Sequence, residues 1–253
     1  MSDAPRRLPL LTLLRIAWRS LFIQAGFSPE AMQSLGLLYV LEPAWPHLYP
    51  DAAERQRAVE RHLTPFNTHP YAAAALVGGI LFQEEKLARG EGSADDVSRF
   101  KQTLMGPLAA LGDGFYWLSL RPAVGALAAV LVPVIGPWAA LAVLAMYNAV
   151  HLATRVWLFA TGYREGAGVV VRLSALKVPL WSTRLRSIAA ACAAGIGVWF
   201  ASWFGALGGA GVWPGLACLG LGVLGVVALE RKLPPLLLLY ASAAVATLAG
   251  ALL

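Results

Sequence analysis

The 43 residues from Ser187 to Leu229, SIAAACAAGIGVWFASWFGALGGAGVWPGLACLGLGVLGVVAL, contain no Asp, Glu, Lys or Arg. About 20 apolar residues suffice to cross a hydrocarbon core of about 30 Å. No water-facing globule of this size accommodates such a run, because its helices need polar outer faces. The rest of the 253 residues agree: 58% are apolar and 13% charged, with a mean hydropathy of +0.63, where an ordinary soluble domain carries about 25% charged residues. The reading is an all-α, polytopic membrane protein.

Working outward from the run, three clean spans are expected at about 187–209, 211–229 and 234–253. Basic residues set their direction, since Lys and Arg favour the cytoplasmic side. Arg172, Lys177, Arg184 and Arg186 precede the first span, and Glu230, Arg231 and Lys232 follow the second. Both groups therefore face the cytoplasm, the uncharged turn at 208–215 lies outside, and the C-terminus is outside. The N-terminus is expected to be cytoplasmic. Glycine and alanine are dense in these spans, for instance at Gly195, Gly197 and Gly205, and small residues let helices approach closely in lipid.

Upstream of Arg186 the apolar stretches are short and interrupted, which divides the chain into 1–186 and 187–253. Met32–Leu41 is an apolar helical segment ended by Pro43 and Pro46, since proline removes a helix hydrogen bond. Asp51–Leu63 is polar, with opposite charges at three- and four-residue spacing. Tyr71–Phe82 is apolar but too short to span, and Ser93 is placed to cap a helix ahead of Asp95 and Asp96. Ala123–Ala149 is interrupted by Pro133, Gly136 and Pro137. It reads as a broken or re-entrant pair of half-helices, with a single kinked span as the alternative; broken backbone at membrane depth must be buried in protein or line a cavity.

Near the start, Leu10, Leu14, Trp18 and Leu21 recur at helical spacing, with Arg15 and Arg19 on a neighbouring face. This predicts a helix lying in the membrane interface, the alternative being an amphipathic helix packed on its own protein. The charges within 10–27 argue against a secretory signal. The net charge of +6 is clustered beside apolar segments rather than spread on a soluble basic face, which excludes nucleic acid as the partner. Cys192 and Cys218 both fall inside the uncharged run and indicate no disulfide; no set of residues has metal-ligand spacing, and no cofactor is expected.

Three blocks carry a resemblance. Met32-Gln33-Ser34-Leu35-Gly36 followed by Tyr39, Arg61-His62-Leu63-Thr64-Pro65-Phe66-Asn67-Thr68-His69-Pro70, and Met105-Gly106-Pro107-Leu108-Ala109-Ala110-Leu111-Gly112-Asp113 are similar, in order and spacing, to the M-Q-x-L-G-x-x-Y, R-H-x-x-F-F-N-T-H-P and M-G-P-L-A-G-x-G-D blocks of the IID component of mannose-family sugar phosphotransferase systems. Glu84 and Glu85, and Arg121-Pro122 after an aromatic run, fall in the family's order as well. Pro65 replaces the first phenylalanine, and Gly114 follows Asp113 where proline is usual. The resemblance covers 13–168 well and the tail only by character.

What the resemblance implies is a bacterial inner-membrane permease subunit. A IID component pairs with a IIC component to form the sugar pathway, as a hetero-oligomer expected to be a trimer of IIC–IID pairs. Soluble IIA and IIB components relay phosphate from phosphoenolpyruvate, and IIB phosphorylates the arriving sugar. The IID subunit is not itself catalytic. A regulatory or sensory subunit without productive transport is the second reading, and a membrane enzyme, which lacks any nucleophile–base pair or metal cluster here, the third.

The substrate-binding residues expected on this basis are Asn67, Thr68, His69, Asp113 and Glu42. An Asn amide donates and accepts, as sugar hydroxyls require; Asn67 and Thr68 are equally placed to cap a helix starting near Pro70. His69 is a sugar or subunit contact or a structural residue. Asp113 is an acid near membrane depth, functional by default, or a cap in a glycine turn. Glu42 faces either the transport path or the interface. Trp and Tyr residues such as Trp45, Tyr49, Trp181 and Trp213 read as interfacial belts.

Overall fold

The computed structural model describes residues 7–207 together with Gly220, Val223 and Leu224. The elements run α1 (Leu10–Arg19), α2 (Ser34–Leu41), α3 (Trp45–Leu48), α4 (Ala52–His62), α5 (Ala73–Ala88), α6 (Ala94–Gly112), α7 (Arg121–Ile135), α8 (Trp138–Glu165), α9 (Val169–Ala175) and α10 (Val178–Leu207). No strand occurs among the described residues, only isolated bridges Ser28–Met32 and Met32–Phe66. The fold is all-α, as expected. Contacts divide it into two compact units, Met1–Val124 with Ala140–Arg186, and Gly125–Ala139 with Ser187–Leu253.

The first unit is built around α5. Ala73 through Leu81 are all buried, because α8 crosses α5 backbone to backbone. A Cβ on Gly78 would stand 2.3 Å from the carbonyl oxygen of Phe159, and one on Gly162 would stand 2.3 Å from that of Ala75. This is the close approach that small residues permit, and it explains why a segment too short to span is nonetheless apolar throughout.

On α1 one stripe, Leu8, Thr12, Ile16, Ser20 and Ile23, is buried. The opposite stripe is apolar yet open, with Leu10, Leu11, Leu14 and Trp18 each more than half exposed. The helix packs on its own protein, the second of the two sequence readings, and still offers an apolar outer face. The α4 segment is capped by Asp51, whose carboxylate accepts from Glu54 N at 3.0 Å. Ser93 and Asp96 form a reciprocal capping box at the start of α6.

Two continuous helical stretches, Ala94–Ile135 and Trp138–Ala175, are long and apolar enough to cross a membrane by length and composition. Their outward side chains, including Leu141, Leu144, Val156 and Val134, are exposed, unlike those of a core helix in a soluble protein. The break between them falls at Gly136, with φ +61°, and Pro137. Pro133 stays inside α7. Of the two readings of this region, the broken helix is the one seen, and each side continues well beyond a half-helix. The first of the three expected C-terminal spans is carried by α10 to Leu207; the second and third lie outside the described residues, as does Cys218.

Candidate functional site

The segment joining α4 to α5, Leu63–Ala72, has no regular structure of its own, so its backbone groups need partners from elsewhere. Gln33 supplies two. Its side-chain Nε2 donates to Thr68 O at 2.7 Å and its Oε1 accepts from Thr68 N at 3.0 Å. Gln33 N donates to Phe66 O and Phe66 N to Ala31 O, with Met32 held at φ 55°. Gly36, three residues on, is required by space, because a Cβ there would sit 1.9 Å from Ile23 O. The first sequence block is thus the clamp for the second.

Beneath the segment lies a buried carboxylate. Arg61 donates to Glu84 through Nε and Nη2, both at 2.9 Å, His62 Nε2 donates at 2.9 Å, and Tyr49 OH donates at 2.5 Å. Glu84 and His62 are fully buried. Burial pushes the Glu84 carboxyl up, but the hydrogen bonds and charges of His62 and Arg61 together outweigh it and hold it below the usual carboxylate range. Burial pushes His62 down, against the pull of Glu84. His62 Nδ1 has no protein partner, so the neutral tautomer with its proton on Nε2 satisfies the pair. Burial and the neighbouring carboxylate hold the Tyr49 phenol far above its usual value. Lys101, also buried, donates to Arg61 O at 3.0 Å and to Thr64 Oγ1 at 2.7 Å. A charge set removed from water in this way is strongly destabilised by loss of one member.

The third block closes over His69. Gly112 ends α6 against the His69 side chain, where a Cβ would stand 2.4 Å from His69 Cβ and Cγ. From Asp113 to Leu120 the helix widens into a π-helical segment, a feature frequent at functional sites. It sets Tyr116 flat on His69, with centroids 5.0 Å apart and planes 12° apart, and Trp117 at 4.9 Å. His69 Nδ1 accepts from Tyr71 N at 3.2 Å, which places the proton on Nε2, an atom with no protein partner. Burial, with Arg155 nearby, lowers His69 to about 4.

The expected site residues therefore fall into different settings. Thr68 and His69 are buried, Asn67 beside them is exposed, and Asp113 is exposed one residue from the Gly112–His69 contact. Neither Asn67 nor Thr68 caps α5, which starts at Ala73 after Ala72 without a side-chain cap. The glycine turn considered at 112–114 is absent, because the chain passes through Asp113 in helical conformation. Glu42 is set apart: Arg19 Nη1 donates to it at 2.6 Å on the surface and stacks over Tyr39 at 4.6 Å.

Sequence reasoning missed the side of this cluster supplied by α8. His151 stacks on Tyr71 with centroids 4.5 Å apart, Arg155 lies over the same ring at 5.6 Å, and Tyr147 OH donates to Tyr71 OH at 3.3 Å. Arg155 also donates to Ser20 O. Thr68 Oγ1, His69 Nε2, His151 Nδ1 and Arg155 Nε are buried without a protein partner, an unusual gathering in one cluster. The available signal was His151 and Arg155, four residues apart in a long, largely apolar helix.

Comparison with known proteins places these features. The family model described as the PTS system mannose/fructose/sorbose family IID component matches residues 8–199. The chain is 33% identical over 180 residues to the fructose permease IID component of Bacillus subtilis, covering 70% of this chain and 64% of that protein. It is 39% identical over 157 residues to the mannose-specific EIID component of Escherichia coli K12, covering 60% and 54% respectively. It is 37% identical over 164 residues to the sorbose-specific EIID component of Klebsiella pneumoniae, covering 62% and 58%. The matched stretch spans between about half and two thirds of the length of these relatives. Among solved structures, a chain of the mannose transporter ManYZ in complex with microcin E492 aligns with a TM-score of 0.61 and 26% identity, and a chain described as a membrane protein with 0.75 and 26%; each alignment covers 97% of both chains.

Proposed function

The chain belongs to the mannose/fructose/sorbose family of phosphotransferase-system IID components, and from that membership we propose that it pairs with a IIC component to carry sugar across the bacterial inner membrane, its N-terminus in the cytoplasm. Its role is translocation without catalysis; soluble IIA and IIB components supply the phosphate, IIB phosphorylates the sugar as it arrives, and the assembly is a trimer of IIC–IID pairs. The observation that carries this reading is the convergence of three separated sequence blocks on Thr68 and His69, in a chain with long lipid-compatible helices. The likeness to a chain of a mannose transporter supports it further.

The buried pair Thr68 and His69 positions the segment, and the exposed pair Asn67 and Asp113 meets the sugar. Asn67 offers both a donor and an acceptor. Asp113 lies on a helical stretch long and apolar enough to cross a membrane and is exposed on this chain; a carboxylate at membrane depth faces a partner or an aqueous path. Glu42, held by Arg19 at the surface, belongs to the subunit's edge rather than to the sugar contact set.

The test is purification from the native membrane in mild detergent. A polytopic IIC-type partner at equal stoichiometry is expected; a folded chain that purifies alone would overturn the pairing.

A further inference from the structure

A concavity adjoins the polar cluster through Tyr116 and differs from it in chemistry. It has a volume of about 360 Å³ and an almost wholly apolar lining. Its floor is formed by buried Leu108, Leu158 and Leu173, and its rim by the exposed Trp157, Leu176 and Trp181. The hydroxyls of Tyr116 and Thr154, which also line it, are paired with each other at 2.8 Å, and Thr154 is further bonded to the α8 backbone. A sugar here would leave its hydroxyls unpaired, a costly burial. A hydrocarbon chain would lose nothing and would gain burial along its length.

The rim is cationic. Lys177 sits between Leu176 and Val178, both of which line the cavity. Arg184 stacks on Trp181, its Cζ 5.2 Å from the ring centroid, and precedes Leu185 of the lining. Neither has a carboxylate partner among the described residues, whereas Arg172 nearby is paired with Glu165 at 3.0 Å. Lys177 is also one of two non-glycine residues at positive φ among the described residues, at 49°, a conformation that glycine would adopt without strain. The α9–α10 junction thus places an exposed lysine between two residues that line the cavity. Basic residues beside spans mark the headgroup level, and basic pockets there hold anionic lipid heads.

We infer that this cavity binds one acyl chain of an anionic phospholipid, whose phosphate is held by Lys177 and Arg184. The site rests on the membrane reading above but not on which sugar is moved, or on whether any is.

The experiment uses the full chain with its native membrane partner, delipidated in detergent and titrated with phosphatidylglycerol or phosphatidylcholine, with bound lipid counted by native mass spectrometry. Each basic side chain near a membrane surface contributes about fivefold, so Lys177→Gln with Arg184→Gln should weaken phosphatidylglycerol binding about 25-fold and leave phosphatidylcholine unchanged. Leu176→Trp, at an exposed rim position, should block the mouth and abolish both. Equal binding of the two lipids by the wild type, or undiminished phosphatidylglycerol on Leu176→Trp, overturns the inference. So does a photocrosslinker at position 176 that captures the partner protein in place of lipid. Intact lipid binding in a complex that fails to transport would count against the permease reading alone.

Discussion

Gly112 lies against His69 so closely that a Cβ at position 112 would stand 2.4 Å from both the Cβ and the Cγ of the histidine. That contact joins the end of α6 to the segment carrying Asn67 and Thr68, and it makes the glycine a spatial requirement. His69 cannot yield easily, because Tyr116 stacks on it and Tyr71 N donates to its Nδ1.

Gly112→Ala should therefore destabilise the subunit by about 1–3 kcal/mol, the usual cost of an overpacked contact. Gly114→Ala, with nothing within 4 Å of its added methyl, should be close to neutral. Thermal unfolding of the two detergent-solubilised variants, followed side by side, checks the difference.

Glu84→Ala leaves the Arg61 guanidinium partnerless at a buried site, and losing one member of such a set costs about 3–5 kcal/mol. The comparison is Glu91→Ala, which removes the carboxylate from a surface pair with Arg89 at 2.8 Å and should change little, as exposed pairs do. If both variants melt alike, the buried network is not what holds α4 to α5.

Acid should loosen the same region. His69 is lowered to about 4 from its usual 6.5, and His62 is lowered as well. Between those values the unfolded chain takes up a proton that the folded chain does not, so stability is full above pH 6.5 and falls as pH drops towards 4. The slope from His69 is at most about 1.4 kcal/mol per pH unit. Melting temperatures between pH 7.5 and 4.5 should decline for the wild type and decline less for His69→Gln.

The membrane fold was legible in the sequence because its signal is cumulative: an uncharged stretch or a proline–glycine break stands out without knowledge of partners. The break at Gly136–Pro137, the Ser93 cap and the outer stripe of Leu10, Leu14 and Trp18 all stand where spacing put them. The roles inside the blocks were not legible, because they are set by contacts across long sequence separations. Gln33 reads as one polar residue before a helix until Thr68 is brought to it. His151 and Arg155 join the site only because Gly78 and Gly162 let α8 lie on α5. The backbone N and O of Thr68 are both paired with the Gln33 side chain, which no local pattern announces.

Asn67→Ala and Asp113→Ala each remove one exposed polar group from the proposed sugar contact. Loss of a hydrogen bond of ordinary strength corresponds to roughly three- to tenfold, and more where the carboxylate is involved. Uptake at low sugar concentration should fall by that amount, with membrane abundance and partner binding unchanged. Normal uptake by both variants would falsify the contact assignment.

In the proposed function the chain completes a sugar pathway. Phosphoenolpyruvate-driven sugar uptake into membrane vesicles containing the IIC partner and the soluble components, measured with and without this chain, addresses it directly. Uptake and sugar phosphorylation are expected only when the chain is present. Equal uptake in its absence, with the partner folded and inserted, would contradict it.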